Sequence, residues 1–226
     1  LTRKGWELTK ATGLNLTTIV DRALELAERE GLAALSMRRL GRELGVDATA
    51  FYRHFRDKDE LVLALSDRTI AMILDRIAMI TPEMDWREAL RLISDAMWHQ
   101  ARSYPVVFSL TFARTTGGPA ERQVVETILR TLQPLGMTPA KTALMYRLFV
   151  DTLLSLAGMN STARTLPPDI LEKDVSAWSR VYAALPGKEF PATRAHADAL
   201  IEVTDEQIWA ASVDSLITYI ETQIAD

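Results

Sequence analysis

Ser36–Lys58 reads SMRRLGRELGVDATAFYRHFRDK, and its apolar spacing decides the fold. Met37, Leu40 and Leu44 fall on one side of a helix that Ser36 caps, with Arg38 and Arg42 nearly opposite. Gly45 follows Leu44 at once, so this helix is short. Asp47 then caps a third helix, Ala48 to about Phe55, whose inward side is Ala48, Phe51 and Phe55. Thr49 and Arg53 point away from that side, with Ala50 and Tyr52 on their flanks. Two short amphipathic helices across a Gly45-Val46 turn make a helix-turn-helix, whose second helix offers its outward side chains to a major groove.

The side chains suit that task. Arg38 and Arg53 carry planar donor forks that pair with guanine edges or phosphates, and Thr49 offers a hydroxyl or a methyl. Tyr52, His54 and Lys58 suit phosphate contacts, and Ser36 with the first amides of its helix makes a further anion site. The plain alternative is a solvated charged face. The charge distribution bears on the choice: the formal net charge is −4, yet residues 1–60 hold 11 Lys+Arg against 10 Asp+Glu. Within 36–58 six basic residues meet three acidic ones, the one compact stretch of the sequence that joins a basic excess to aromatics.

Outward from this segment the chain reads as all-α. Thr17 or Thr18 caps a first helix bearing Val20, Ala23, Leu24 and Ala27, which Gly31 ends. Asp57, with Glu60 three residues on, has the capping-box pattern and opens a helix over Lys58–Ile80 that Thr81-Pro82 stops. About 22 residues at roughly 1.5 Å each span roughly 33 Å, enough to join two domains as a rod. Later punctuation predicts helices over Trp86–Tyr104, a short piece to Ala113, one from Pro119, Pro139–Gly158, and one near Asp169–Leu185. A loop follows around Gly187 and Pro191, and Thr204 with Gln207 caps a last helix to Gln223. The expected organisation is a three-helix helix-turn-helix domain over 1–62, with 1–15 as a flexible arm, and a helical effector-binding and dimerisation domain over 63–226.

The stretch from Leu16 to Leu65, with TTIVDRALELAEREGLAALSMRRLGRELGVDATAFYRHFRDKDELVLAL at its heart, resembles the N-terminal domain of the tetracycline-repressor family. EGLAALSMRRL, LGV and above all FYRHFRDKDELV carry the likeness; DWREAL, YPVV and FPATRAHADAL carry a looser one further on. The resemblance implies a homodimeric repressor that binds a pseudo-palindromic operator and leaves it when a small molecule binds. By motif position its DNA contacts fall on Ser36, Arg38, Ala48, Thr49, Ala50, Tyr52, Arg53, His54 and Lys58. Ala48 and Ala50 depart from the polar residues often found there, so base reading would lean on Arg38, Thr49 and Arg53. Arg3, Lys4 and Lys10 would serve as an N-terminal arm.

On the Pro139–Gly158 helix, Met145, Leu148, Phe149, Thr152, Leu156 and Met159 line one side and Ala143, Arg147, Val150, Leu154 and Ala157 the other. Two largely apolar sides call for cover beyond one chain, and the last helix, with Trp209, Val213, Leu216 and Ile220 in a stripe, is the natural companion in a four-helix dimer bundle. Burial of both sides within one chain is the alternative. Candidates for a largely apolar effector pocket are Met97, Tyr104, Phe108, Phe112, Met145 and Phe149, each of which also suits plain core.

No cysteine is present, which removes disulfides and cysteine-based zinc sites. His54, His99 and His196 lack metal-ligand spacing and no glycine-rich phosphate loop occurs, so neither metal, cofactor nor enzymatic activity is expected. No apolar run reaches membrane-spanning length and no signal-peptide pattern opens the chain, so a cytoplasmic protein without a membrane partner is expected. The competing reading is a dimeric ligand-binding helical protein that acts as an activator or has no role at DNA.

Overall fold

The computed structural model describes residues 15–224, which are helical with no strand among them. The arm expected from Arg3, Lys4 and Lys10 lies outside the described residues. Three elements make the N-terminal unit: α1 (Leu16–Glu30), α2 (Met37–Leu44) and a 3₁₀ segment (Ala48–Arg53). Asn15 rather than Thr17 or Thr18 caps α1, its Oδ1 accepting from the Thr18 amide at 2.8 Å. The segment after Asp47 is 3₁₀ rather than the expected α-helix. Asp47 holds both the amide and the hydroxyl of Thr49, and six residues between that cap and His54 close with i to i+3 bonds such as Ala50 N–H to Asp47 O.

α3 (Lys58–Arg76) starts where Asp57 accepts from the Glu60 amide at 2.9 Å. The box is not reciprocal, because the Glu60 carboxylate reaches back to the amide of Arg56 instead of Asp57. α3 ends before the expected Ile80; Ile77–Ile80 closes one tighter turn ahead of Pro82. Nineteen residues still span about 28 Å. Leu61 and Leu65 at its start belong to the N-terminal core with Ile19, Leu26, Leu40 and Phe51, whereas Ile73 and Ile77 at its end belong to a second core. One helix therefore contributes to both.

The second core collects α4 (Trp86–Ser103), α5 (Pro105–Thr111), α6 (Pro119–Leu132), α7 (Pro139–Arg164) and α10 (Asp205–Ile224). Asp85 caps α4 by accepting two amides, and Thr204 and Gln207 cap α10 reciprocally at 2.8 and 3.2 Å. α5 and α6 begin with Pro105 and Pro119 and have no cap of their own. Carboxylates from distant helices do that work: Glu28 of α1 accepts from the amides of Val106 and Val107 at 3.1 and 2.9 Å, and Asp67 of α3 from those of Ala120 and Glu121 at 3.3 and 3.0 Å.

α7 runs through Gly158 to Arg164 instead of stopping at the glycine. The Phe112 ring lies against Gly158 where a β-carbon would sit, so the glycine serves close packing of α5's end on α7. The two-sided reading of α7 also needs correction. Its buried stripe is Met145, Phe149, Leu153 and Ala157, shared with Trp209, Val213, Leu216 and Ile220 of α10 in the same chain. Leu144, Leu148 and Met159 face solvent with Asp151 and Ser155. Beyond α7, the stretch expected as one helix and a loop holds α8 (Pro168–Arg180), a 3₁₀ turn Tyr182–Ala184 and α9 (Pro191–Glu202); Pro191 starts a helix where a loop was expected.

Candidate functional site

The helix-turn-helix is built by one close approach. Gly45 takes the left-handed conformation, φ 68° and ψ 30°, and the amide of Val46 returns to the Gly41 carbonyl at 3.0 Å. A β-carbon at Gly41 would lie 2.8 Å from the Val46 oxygen, so only glycine lets the turn fold this tightly onto α2. Phe51 and Phe55 then anchor the 3₁₀ segment in the N-terminal core. Because both rings point inward, Thr49, Tyr52, Arg53 and His54 are exposed, with Tyr52 58% accessible.

The arginines divide into two sets. Arg39 bridges Glu30 and Glu43 at 2.6 and 2.8 Å, and Arg29 joins the same two carboxylates. Arg39 first, then Arg29, holds Glu30 and Glu43 below the usual carboxylate range. Arg56 is taken by Glu60 and Arg68 by Asp21. Among the described residues no carboxylate pairs with Arg38, Arg42 or Arg53, and all three are exposed. Within residues 36–58 these three are the arginines left open, and Arg53 stands between the exposed Tyr52 and His54 in the chain.

Other expected contact residues are less free. The Thr49 hydroxyl donates to Asp47 at 2.6 Å, a bond that with the Thr49 amide holds Asp47 below its ordinary range, so Thr49 presents its methyl and lone pairs. Lys58 Nζ donates to the Leu32 carbonyl at 2.8 Å and must leave it to meet a phosphate. Ser36 Oγ accepts from the Arg39 amide at 3.1 Å, which leaves its own proton to donate. Ala48 is half-buried against the N-terminal core, and Ala50 is also half-buried. His99 is exposed.

A cavity of about 90 Å³ lies among α3, α4, α5, α6 and α7. Met97, Phe108 and Phe112 line it, together with Ile73, Val124 and Tyr146. An adjoining space of about 300 Å³ shares Phe112, Arg114, Tyr146 and Leu154 with it and opens toward Arg147 and Asp151. Tyr104 is elsewhere, packed on the N-terminal core, and Met145 and Phe149 are fully covered core residues, so these three do not line the cavity. Sequence reasoning missed Tyr146, Val150 and Leu154, because two apolar sides of α7 gave no means of telling the cavity side from the core side. A larger cleft, about 430 Å³, sits at the far end of α3 between Leu74, Trp86 and Arg130. The smaller cavity with its adjoining space is the better candidate for a ligand site: five helices meet around it, and its walls are apolar side chains of the second core.

Residues 19–65 match the family model described as "Bacterial regulatory proteins, tetR family". An HTH-type transcriptional repressor of Mycobacterium tuberculosis is 36% identical over 109 residues, 47% of this chain and 40% of that protein. The chain thus spans less than half the length of that relative. ActR from Streptomyces coelicolor, solved without ligand, superimposes with a TM-score of 0.80 at 20% identity, covering 95% of this chain and 98% of that one. Its complex with actinorhodin gives 0.78 at 20% identity, covering 95% and 100%. At such identity the likeness speaks for the fold, and it extends through the helices beyond the matched segment.

Proposed function

We propose that this chain, which belongs to the tetR family of bacterial regulatory proteins through its N-terminal helices, is a homodimeric, effector-released transcriptional repressor of the cytoplasm that binds a palindromic operator. The observation that carries the reading is the set of guanidiniums with no carboxylate partner among the described residues, Arg38, Arg42 and Arg53, on the outward side of a helix-turn-helix whose other arginines are neutralised by carboxylates. Arg53 and Arg38 read base edges by their forks. Ser36, Thr49, Tyr52, His54 and Lys58 hold the phosphate backbone, and Ala48 and Ala50 shape the contact at thymine methyls. The recognition unit is residues 1–62 and the effector and dimerisation unit 63–226.

Dimer formation is supported by α10, which has three faces. One is buried in its own chain; a second pairs Glu206, Asp214 and Glu221 with Arg102, Arg91 and Arg87 of α4. The third, with Ile208, Ala211, Ser215 and Tyr219, is open and uncharged, as is much of the neighbouring stripe Leu144, Leu148, Ser155 and Met159 on α7. An uncharged stripe on α10 beside one on α7 that only the Arg147–Asp151 pair interrupts suits a four-helix bundle with a second copy. A small, mostly apolar molecule in the cavity bounded by Met97, Phe108 and Phe112 is the effector. The neighbour ActR, solved with actinorhodin, supports a ligand-bearing domain of this shape.

The deciding experiment is selection from random duplexes by the purified chain. An enriched two-fold-symmetric motif, bound on the order of 10³ tighter than bulk DNA and weakened steeply by salt, is expected. A selection that returns no motif refutes the reading.

A further inference from the structure

We propose that the ligand of the cavity and the space adjoining it is a flat apolar molecule bearing one acidic group, and that Arg114 reads this acid by exchanging it for Asp59. The inference rests on the effector reading for its consequence at DNA, not for its chemistry. Among the residues lining the inner cavity Arg114 is the one cation, and it also lines the outer space. Its guanidinium is spread across Asp59, Nη1 to Oδ1 at 2.7 Å and Nη2 to Oδ2 at 2.8 Å. A ligand carboxylate has the same fork-matching shape, so one anion replaces another with no net change of charge at Arg114.

The exchange is cheap for Asp59. Its side chain is already 63% accessible and returns to water, whereas Arg114 is 37% accessible and can turn inward to the cavity it lines. The remaining walls favour a flat body: Phe112 and Tyr146 supply rings, and Ile73, Val124, Val150 and Leu154 supply apolar surface. Burial raises the Tyr146 phenol's pKa, so it stays protonated as a donor or acceptor. Glu121 is the other charged group on the wall. Its Oε2 already accepts from Thr116 Oγ1 at 2.9 Å and from the Gly117 amide at 2.5 Å, which occupies it within its own turn and disfavours a second negative charge on the ligand.

The position of Asp59 makes the exchange consequential. It stands in the first turn of α3, next to Lys58, and its pair with Arg114 ties the base of that helix to the loop after α5. Ser66, which lines the cavity, is seven residues along the same helix, roughly 10 Å away. An acid at Arg114 would therefore unfasten the recognition unit from the loop that roofs the ligand.

The test titrates anthraquinone-2-carboxylate, its carboxamide and the cationic 2-aminomethyl analogue into the full chain by calorimetry near neutral pH. The acid should bind at least about tenfold tighter than the amide, the gain expected of a charge-assisted pair. Arg114→Gln should bring the acid down to the amide, and Asp59→Asn should tighten the acid about threefold or more while leaving the amide unchanged. An amide that matches the acid, a preference for the amine, no binding by any of the three, or a preference that survives Arg114→Gln would overturn the proposal. Should Arg114→Gln fail to fold, Arg114→Lys, which keeps the charge and loses the fork, together with Asp59→Asn decides. Operator affinity is read separately: an acid that binds through Arg114 without weakening operator binding defeats effector release and leaves the acid site standing.

Discussion

Glu28→Ala tests how much one carboxylate contributes to fastening the two cores. Glu28 belongs to α1, yet it accepts the amides of Val106 and Val107 at the start of α5, and Val107 itself is fully buried in the N-terminal core. Removing the carboxylate deletes a helix cap, about 1 kcal/mol, and leaves two half-covered amides that cost roughly 1–3 kcal/mol each when dry, less where water reaches them. The expected loss is about 2–4 kcal/mol, read as a lower urea midpoint at unchanged slope by circular dichroism. Glu28→Gln keeps one carbonyl acceptor and should lose about half as much. The pH dependence has a definite sign. Burial outweighs the two amide bonds and raises the Glu28 pKa above its ordinary 4.5, so the folded chain holds this proton to higher pH than the unfolded one. Its contribution to stability therefore falls as pH rises from the ordinary value through the raised one. Glu30, Glu43, Asp47, Asp59 and Glu60, all lowered by their partners, give the opposite trend in wild type and variant alike, so the difference between wild type and Glu28→Gln isolates the effect. A Glu28→Ala loss below about 0.5 kcal/mol, or a difference that rises with pH between about 4 and 7, would refute the reasoning.

Arg53→Ala should cost about 1–3 kcal/mol in operator binding and relax preference at one position of each half-site, whereas Tyr52→Phe should weaken all sequences alike; competition binding on single-base operator variants separates the two. Gly41→Ala places a β-carbon 2.8 Å from a backbone oxygen that cannot swing away, so it should destabilise the chain by about 1–3 kcal/mol and weaken operator binding, checked by urea melts and gel shift. Leu148→Asp, on the open stripe of α7, should leave chain stability nearly unchanged and convert dimer to monomer by light scattering; an unchanged dimer mass would remove α7 from the interface.

The helix-turn-helix was legible because its signals are local. Ser36, Asp47 and Asp57 cap within three residues of what they bind, and the inward spacing of Met37, Leu40, Leu44, Phe51 and Phe55 matches their burial. What stayed illegible depends on contacts far apart in sequence. Glu28 and Asp67 cap helices that begin 77 and 52 positions later, at Pro105 and Pro119, and nothing near either proline announces the partner. Gly158 reads as a terminator until the Phe112 ring is placed on it. Leu154 shows the cost for design: the wheel puts it on a face calling for a second chain, but the structure sets it on the cavity wall, so a substitution there would confound ligand with dimer.

The same long-range links bear on how weak a signal needs to be. The recognition unit meets the rest through α3, through Glu28 on α5, through Asp21 with Arg68, and through Asp59 with Arg114. Three of these four converge on α3 or its first turn, and the pairs are partly or largely solvent-exposed, so each is individually weak. A weak set is sufficient for release. Lowering operator affinity tenfold takes about 1.4 kcal/mol, and in the proposed symmetric dimer each protomer would need to supply only about half. In the proposed dimer on a two-fold operator, larger effects would follow from geometry, because two recognition segments would have to sit about one helical turn of DNA apart and a displacement of either would unseat the pair. Linkage then makes the mechanism reciprocal: whatever factor the ligand takes from operator binding, operator takes from ligand binding. A ligand that binds free and operator-bound chain equally would mean that Arg114, Glu28 and α3 hold the units together without carrying any signal between them.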